Sequence, residues 1–102
     1  MTQVIKKARQ TGVDYKFNEY ENLIALKDYV DSTYTQHYSK TKFQATEFIV
    51  DSGHGEGFCI GNILKYSQRY GKKEGKNRSD LLKVLHYALI ALHVHDQENE
   101  NE

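Results

Sequence analysis

The sequence predicts an all-α fold: a compact bundle of about four helices with an N-terminal arm and a disordered acidic C-terminal tail. Three observations carry this. Proline is absent from all 102 residues, so nothing in the chain forbids a helix interior. Leu81, Leu82, Leu85, Leu89 and Leu92 recur at helical spacing. Strand-like alternation is confined to Val13, Tyr15 and Phe17, and a lone strand has no partner.

Length and composition set the frame. A chain of 102 residues forms one domain, here an arm over 1–18, a helical domain over 19–96 and a tail over 97–102. With 38% hydrophobic residues and a mean hydropathy of -0.76, it buries one modest core. Self-association would cover further apolar area, so a homo-oligomer is expected; Ile90 and Val94 extend the leucine face around the last helix. Formal net charge is zero, which argues against whole-molecule attraction to nucleic acid or membrane. A single cysteine, Cys59, leaves no intrachain disulfide and suits apolar packing. No apolar run approaches the roughly 20 residues of a membrane span, and MTQVIKKARQ lacks the apolar segment of a secretion signal. A cytoplasmic protein follows.

Taken in order, residues 3–10 form a short basic helix or arm, broken at Thr11-Gly12, and an extended arm follows. Asn18 caps a helix over 19–35, with Glu19 and Glu21 in its first turn and a stripe of Leu23, Leu26 and Val30, widened by Ile24 and Tyr34. A polar link leads to a second helix over 42–52 with Phe43, Phe48, Ile49 and Val50. The segment DSGHGEG, with Gly53, Gly55 and Gly57, reads as a flexible connector. It lacks the Lys-Ser/Thr ending of a phosphate loop and follows no strand. A third helix covers 58–70 and ends at Gly71, where a left-handed residue is cheap. After the turn-rich GKKEGKNR, Ser79 caps a helix over 79–95 with Asp80 in its first turn.

The third helix carries the chemistry. In FCIGNILKYSQRYGKK, Asn62, Lys65 and Arg69 step by three and four residues and share one face. Lys72 and Lys73 follow at its C-terminal end. An amide, two long cations on one stripe and a cationic loop suit a phosphate-bearing ligand. A solvated basic face, favoured by the helix dipole, is the bland alternative. On the last helix Asp80, Lys83 and Tyr87 share a side with this spacing. In an antiparallel hairpin they face Asn62, Lys65 and Arg69, and the Asp80 carboxylate can orient a cation. Capping alone is the competing role for Asp80.

Other chemistries find less support. His93 and His95 diverge on a helix, and His86 and His93 share a face without a third ligand, so no metal site is indicated. No histidine pairs with Cys59 for nucleophilic catalysis. Magnesium-dependent pyrophosphohydrolases need acidic clusters on two helices, and residues 58–70 contain no acid. The residues call for no cofactor. A nucleotide is the expected ligand; magnesium is compatible with it but unsupported.

His37-Tyr38, Gln44 with EFI, FCIGNILKYSQRYGKK and SDLLKVLHYALIAL together resemble a small bacteriophage domain family of formerly unknown function, also called the phage nucleotide kinase family. The resemblance spans about residues 36–92 and departs at Tyr70, where family members often have a small residue. It implies a phage protein acting in an infected bacterial host. It also implies nucleotide-binding residues His37, Tyr38, Asn62, Lys65, Tyr66, Arg69, Lys72, Lys73, Lys83 and Tyr87, with Asp80 behind them. Phosphorylation of nucleoside monophosphates is the activity it suggests, with charge stabilisation from Lys65, Arg69, Lys72 and Lys73. Three readings stand: a nucleotide-binding enzyme, a non-catalytic protein that sequesters a signalling nucleotide, and an interaction protein with an acidic host partner. Among the eight tyrosines, Tyr38, Tyr66 and Tyr87 can stack on a base while cations take phosphate.

Overall fold

The computed structural model describes residues 12–36 and 39–100, and within them the regular structure is all helical. The elements are α1 (Glu19–Thr35), α2 (Ser39–Ile49), a π turn (Val50–His54), α3 (Gly55–Arg69) and α4 (Arg78–Asn99). α2 and α3 meet at a kink in the π turn, where the backbone leaves helical geometry at Gly53. The four expected helices therefore appear as three rods, the middle one kinked at Gly53. The basic segment 3–10 lies outside the described residues. Residues 12–18 have no regular structure, and Tyr15 stacks on Tyr20 with centroids 6.5 Å apart.

Several helix ends correct the sequence reading. α1 has the expected bounds, but Asn18 does not cap it through its side chain. Asn18 sits in the left-handed region at φ 56, which asparagine tolerates, and its carbonyl accepts the Asn22 N–H at 2.9 Å. The expected flexible connector at 51–57 is instead a kinked turn, Val50–His54, followed by the first residues of α3. Gly53 leaves the helical region at φ 88, a conformation that glycine adopts without a Cβ penalty, and His54 follows at φ -108, ψ 12. The Ser52 hydroxyl meanwhile donates to the Phe48 carbonyl at 2.7 Å. Asn77, not Ser79, caps α4: its side chain accepts the Ser79 N–H at 2.9 Å. At the far end α4 runs through Asn99, so the tail expected to be disordered is helical to that point. No glycine or proline follows His95 to stop the helix, and the Asn99 amide donates to the His95 carbonyl at 2.8 Å.

The α3–α4 hairpin is the most extensively packed pair. It is antiparallel. Arg69 meets Asp80 at one end, and Gly55 meets Val94 at the other, where a Cβ on Gly55 would lie 2.9 Å from Val94 Cγ2. α1 runs in the same direction as α4, because Arg78 donates to Asn22 at 3.2 Å and Tyr29 lies edge-on to His86 with centroids 5.9 Å apart. Phe43 of α2 stacks on Tyr34 of α1, centroids 4.3 Å apart.

The bundle is open rather than compact. Among the described residues, the buried apolar side chains are Leu26, Cys59 and Val94, joined by Thr33, Asp80 and His86. The leucine face expected to form the core of α4 is largely outside: Leu81, Leu85, Leu89 and Leu92 are exposed. Leu23 of α1 is exposed as well. α4 turns Asp80, His86 and Val94 inward instead. Among Asp, Glu, Lys and Arg, Leu81 to His95 contains only Lys83, so apolar spacing alone did not select a face.

A cleft of about 530 Å³ opens between α1, α2 and α4, with Tyr34, Phe43, Glu47, His86, Ile90 and His93 among its walls. None of the residues expected to bind phosphate lines it. No helix among the described residues is long and apolar enough to cross a membrane.

Candidate functional site

The hairpin brings the expected cations together around one aromatic ring. Lys65 and Arg69 project from α3 and Lys83 from α4. Lys65 Nζ lies 5.0 Å from the centroid of the Tyr66 ring, Arg69 Cζ 5.8 Å and Lys83 Nζ 5.4 Å. The quadrupole of a phenol ring attracts cations at such distances. Tyr66 in turn stacks on Tyr87 of α4, with centroids 6.0 Å apart and planes 11° from parallel. Phe58 meets Tyr87 edge-on at 5.7 Å. The rings of both helices thus form the floor on which the cations rest.

Asp80 lies behind this group. It is 2% exposed, and its Oδ1 is 3.8 Å from Arg69 Nε. That is an ion pair too long for a hydrogen bond. Asp80 Oδ2 is buried without a hydrogen-bond partner. Three cations around Tyr66 against one adjoining carboxylate leave an excess of positive charge, which an anion would neutralise.

The other expected residues are placed differently. The Asn62 amide donates to the Phe58 carbonyl at 2.9 Å, back along its own helix. Lys72 and Lys73 are exposed in the turn after α3, and their backbone N–H groups donate to the Arg69 carbonyl at 2.9 and 3.3 Å. This ties the basic turn to the end of the cation stripe. His37 and Tyr38 lie outside the described residues.

α1 contributes Tyr29, which the sequence did not single out. Burial pushes the Tyr29 hydroxyl above its ordinary pKa, with Tyr66 adding to the effect; its ring meets His86 of α4. Burial raises Tyr87 as well, with Tyr66 and Tyr29 as lesser contributors. Both carboxylate oxygens of Glu21 are buried without a hydrogen-bond partner. Its position in the first turn of α1 suggested a helix-dipole role. His86, edge-on to Tyr29 and tilted against Tyr87, is held below its ordinary pKa by burial and then by Lys42. Cys59 is buried, and burial raises its pKa, which suits packing and not nucleophilic chemistry.

A search of curated proteins gives no significant match, nor does one of solved structures. A family model, DUF3310, described as a protein of unknown function, matches residues 32–89. The matched stretch contains every residue expected at the site, from His37 to Tyr87, and leaves out Glu21 and Tyr29 of α1. It covers more than half of the 102 residues, and the chain belongs to the DUF3310 family.

Proposed function

We propose that the protein binds a nucleotide, with Lys65, Arg69 and Lys83 taking its phosphate. The convergence of these three cations on the Tyr66 ring carries the reading. Side chains that repel one another are gathered from two helices, and a phosphate would relieve the repulsion. Lys72 and Lys73 extend the positive field past the end of α3. The guanidinium of Arg69 can hold two phosphate oxygens in parallel, and the ammonium groups add point charge. The resemblance to the bacteriophage nucleotide kinase family supports a nucleoside monophosphate as ligand and an infected bacterium as the setting.

Phosphoryl transfer is the finer form of this reading. The same cations would stabilise charge on a transferring phosphoryl group. Binding without turnover is the second form, and the placement of Asp80 favours it. This carboxylate is buried against Arg69, which suits orienting a guanidinium and not deprotonating a ligand. A thermal-shift screen of the purified protein against nucleoside mono-, di- and triphosphates tests the reading, with and without magnesium. A true ligand at about 100 times its Kd adds about 2.7 kcal/mol of stability. Hits are then assayed for transfer of phosphate from a nucleoside triphosphate. A melting temperature unmoved by every nucleotide would contradict binding, and binding without product would select the second form.

A further inference from the structure

We infer that the cleft between α1, α2 and α4 is a second binding site, which takes a small organic cation: a protonated amine carried on an aromatic body. The inference is independent of the nucleotide reading, because none of the residues assigned to phosphate lines the cleft. Its volume of about 530 Å³ lies within the range of small-molecule pockets, about 300–1,000 Å³. Val30, Leu89 and Ile90 supply apolar walls. Tyr34 and Phe43, also lining it, stack with centroids 4.3 Å apart and planes 14° from parallel, and so supply a flat aromatic wall. Such walls hold a planar apolar body.

His86 is the feature that asks for a ligand. It lines the cleft and is 6% exposed. Its ring packs edge-on to Tyr29 and lies tilted against Phe43 with centroids 6.5 Å apart. Among the described residues no hydrogen bond reaches its ring nitrogens. Buried polar side chains are ordinarily hydrogen-bonded, and leaving one without a partner costs stability. The buried atoms that are both sealed from solvent and unpartnered belong, among the described residues, to Glu21 and Asp80. The His86 nitrogens therefore open on the cleft. Burial, and then Lys42, favours the neutral ring, which presents one donor and one acceptor. An ammonium group can donate to that acceptor.

Charge selects the class of ligand. Among Asp, Glu, Lys and Arg, the cleft is lined by Glu47 and Asp51 alone, one helical turn apart. Neither forms an ion pair among the described residues. Lys42 acts on His86 from the start of α2 but does not line the cleft. A phosphate would meet two carboxylates here and be repelled. A neutral ligand would fill the walls and leave both carboxylates unmatched. A cation meets them, and the faces of the Tyr34–Phe43 pair attract it as well.

The test titrates phenethylammonium, and separately the neutral phenethyl alcohol, into the intact protein and follows backbone amide shifts by NMR. The ammonium should shift residues 43–51 and 86–93 and bind at least tenfold more tightly than the alcohol, about 1.4 kcal/mol. Glu47→Gln combined with Asp51→Asn should lower its affinity to that of the alcohol and leave the alcohol unaffected. Both carboxylates are exposed, so the double variant should keep its fold. Equal affinities in the wild type overturn the proposal, as does undiminished ammonium binding in the folded double variant. Shifts confined to residues outside the cleft at about 10 mM ligand, or none at all, overturn it too. Should the double variant unfold, the wild type decides. Added salt should weaken the ammonium and spare the alcohol, and ammonium binding independent of salt overturns the site.

Discussion

Tyr66 organises the site through its ring and not through its hydroxyl, because the three cations lie over the π face. Tyr66→Phe should therefore leave nucleotide affinity within about twofold, whereas Tyr66→Ala should lower it at least tenfold, about 1.4 kcal/mol. Equal losses in calorimetric titrations of the two variants would assign the role to the hydroxyl. His86 yields a prediction about pH. Burial favours its neutral form in the folded protein. As pH falls below the ordinary value of 6.5, the unfolded chain takes up a proton that the folded one lacks. Stability should thus be level above that pH with respect to this group, and fall as pH drops toward the depressed folded value. Urea melts between about pH 5 and 8 read the slope, and His86→Phe should flatten it. The cation stripe was legible in the sequence, because Asn62, Lys65 and Arg69 share a helix face by spacing alone. Tyr29 was not legible, because it has an ordinary role on an isolated helix and meets His86 only when α1 lies along α4.

The three glycines before and within α3 differ at the level of the element. Gly53 supplies the bend of the π turn, Gly55 a close approach of α3 to Val94 of α4, and Gly57 an open face. Gly55→Ala should cost about 1–3 kcal/mol by overpacking against Val94 and Val50, read as a shift in a denaturant midpoint with an unchanged slope. A neutral Gly55→Ala would show that the two helices are not in close contact there. The sequence marked this stretch as glycine-rich but not as helical, since three glycines in five residues read as a break wherever packing is invisible. The faces of α1 and α4 were misread for a related reason. Period marks a helix, but a stripe that runs nearly all round α4 leaves its rotation undetermined. That rotation is set by Tyr87 on Tyr66 and His86 on Tyr29, contacts between residues more than twenty positions apart in sequence.

For the whole molecule, an all-α chain was legible from the absence of proline and the helical periodicities, and the bounds of α1 follow from Asn18-Glu19 and the polar link after Thr35. The length of α4 was not, because an acidic tail reads as solvated although nothing in it stops a helix. The last turn nonetheless buries little. Removing residues 99–102 should change stability by less than about 0.5 kcal/mol and leave nucleotide binding intact; a loss of either would show that the tail docks elsewhere. The account rests most heavily on the cation cluster, and Arg69 is its most informative member because it touches both Tyr66 and Asp80. Calorimetric titration of a nucleoside monophosphate into wild type, Arg69→Ala and Arg69→Lys, each checked by thermal melt, is the most direct test. The cluster as a phosphate site predicts at least a tenfold loss, about 1.4 kcal/mol, for Arg69→Ala in a folded protein, and partial recovery for Arg69→Lys, which keeps the charge and loses the two-pronged geometry. Undiminished affinity in folded Arg69→Ala, or a loss of stability in that variant with affinity unchanged, would reduce Arg69 to a brace between α3 and α4 and contradict the site.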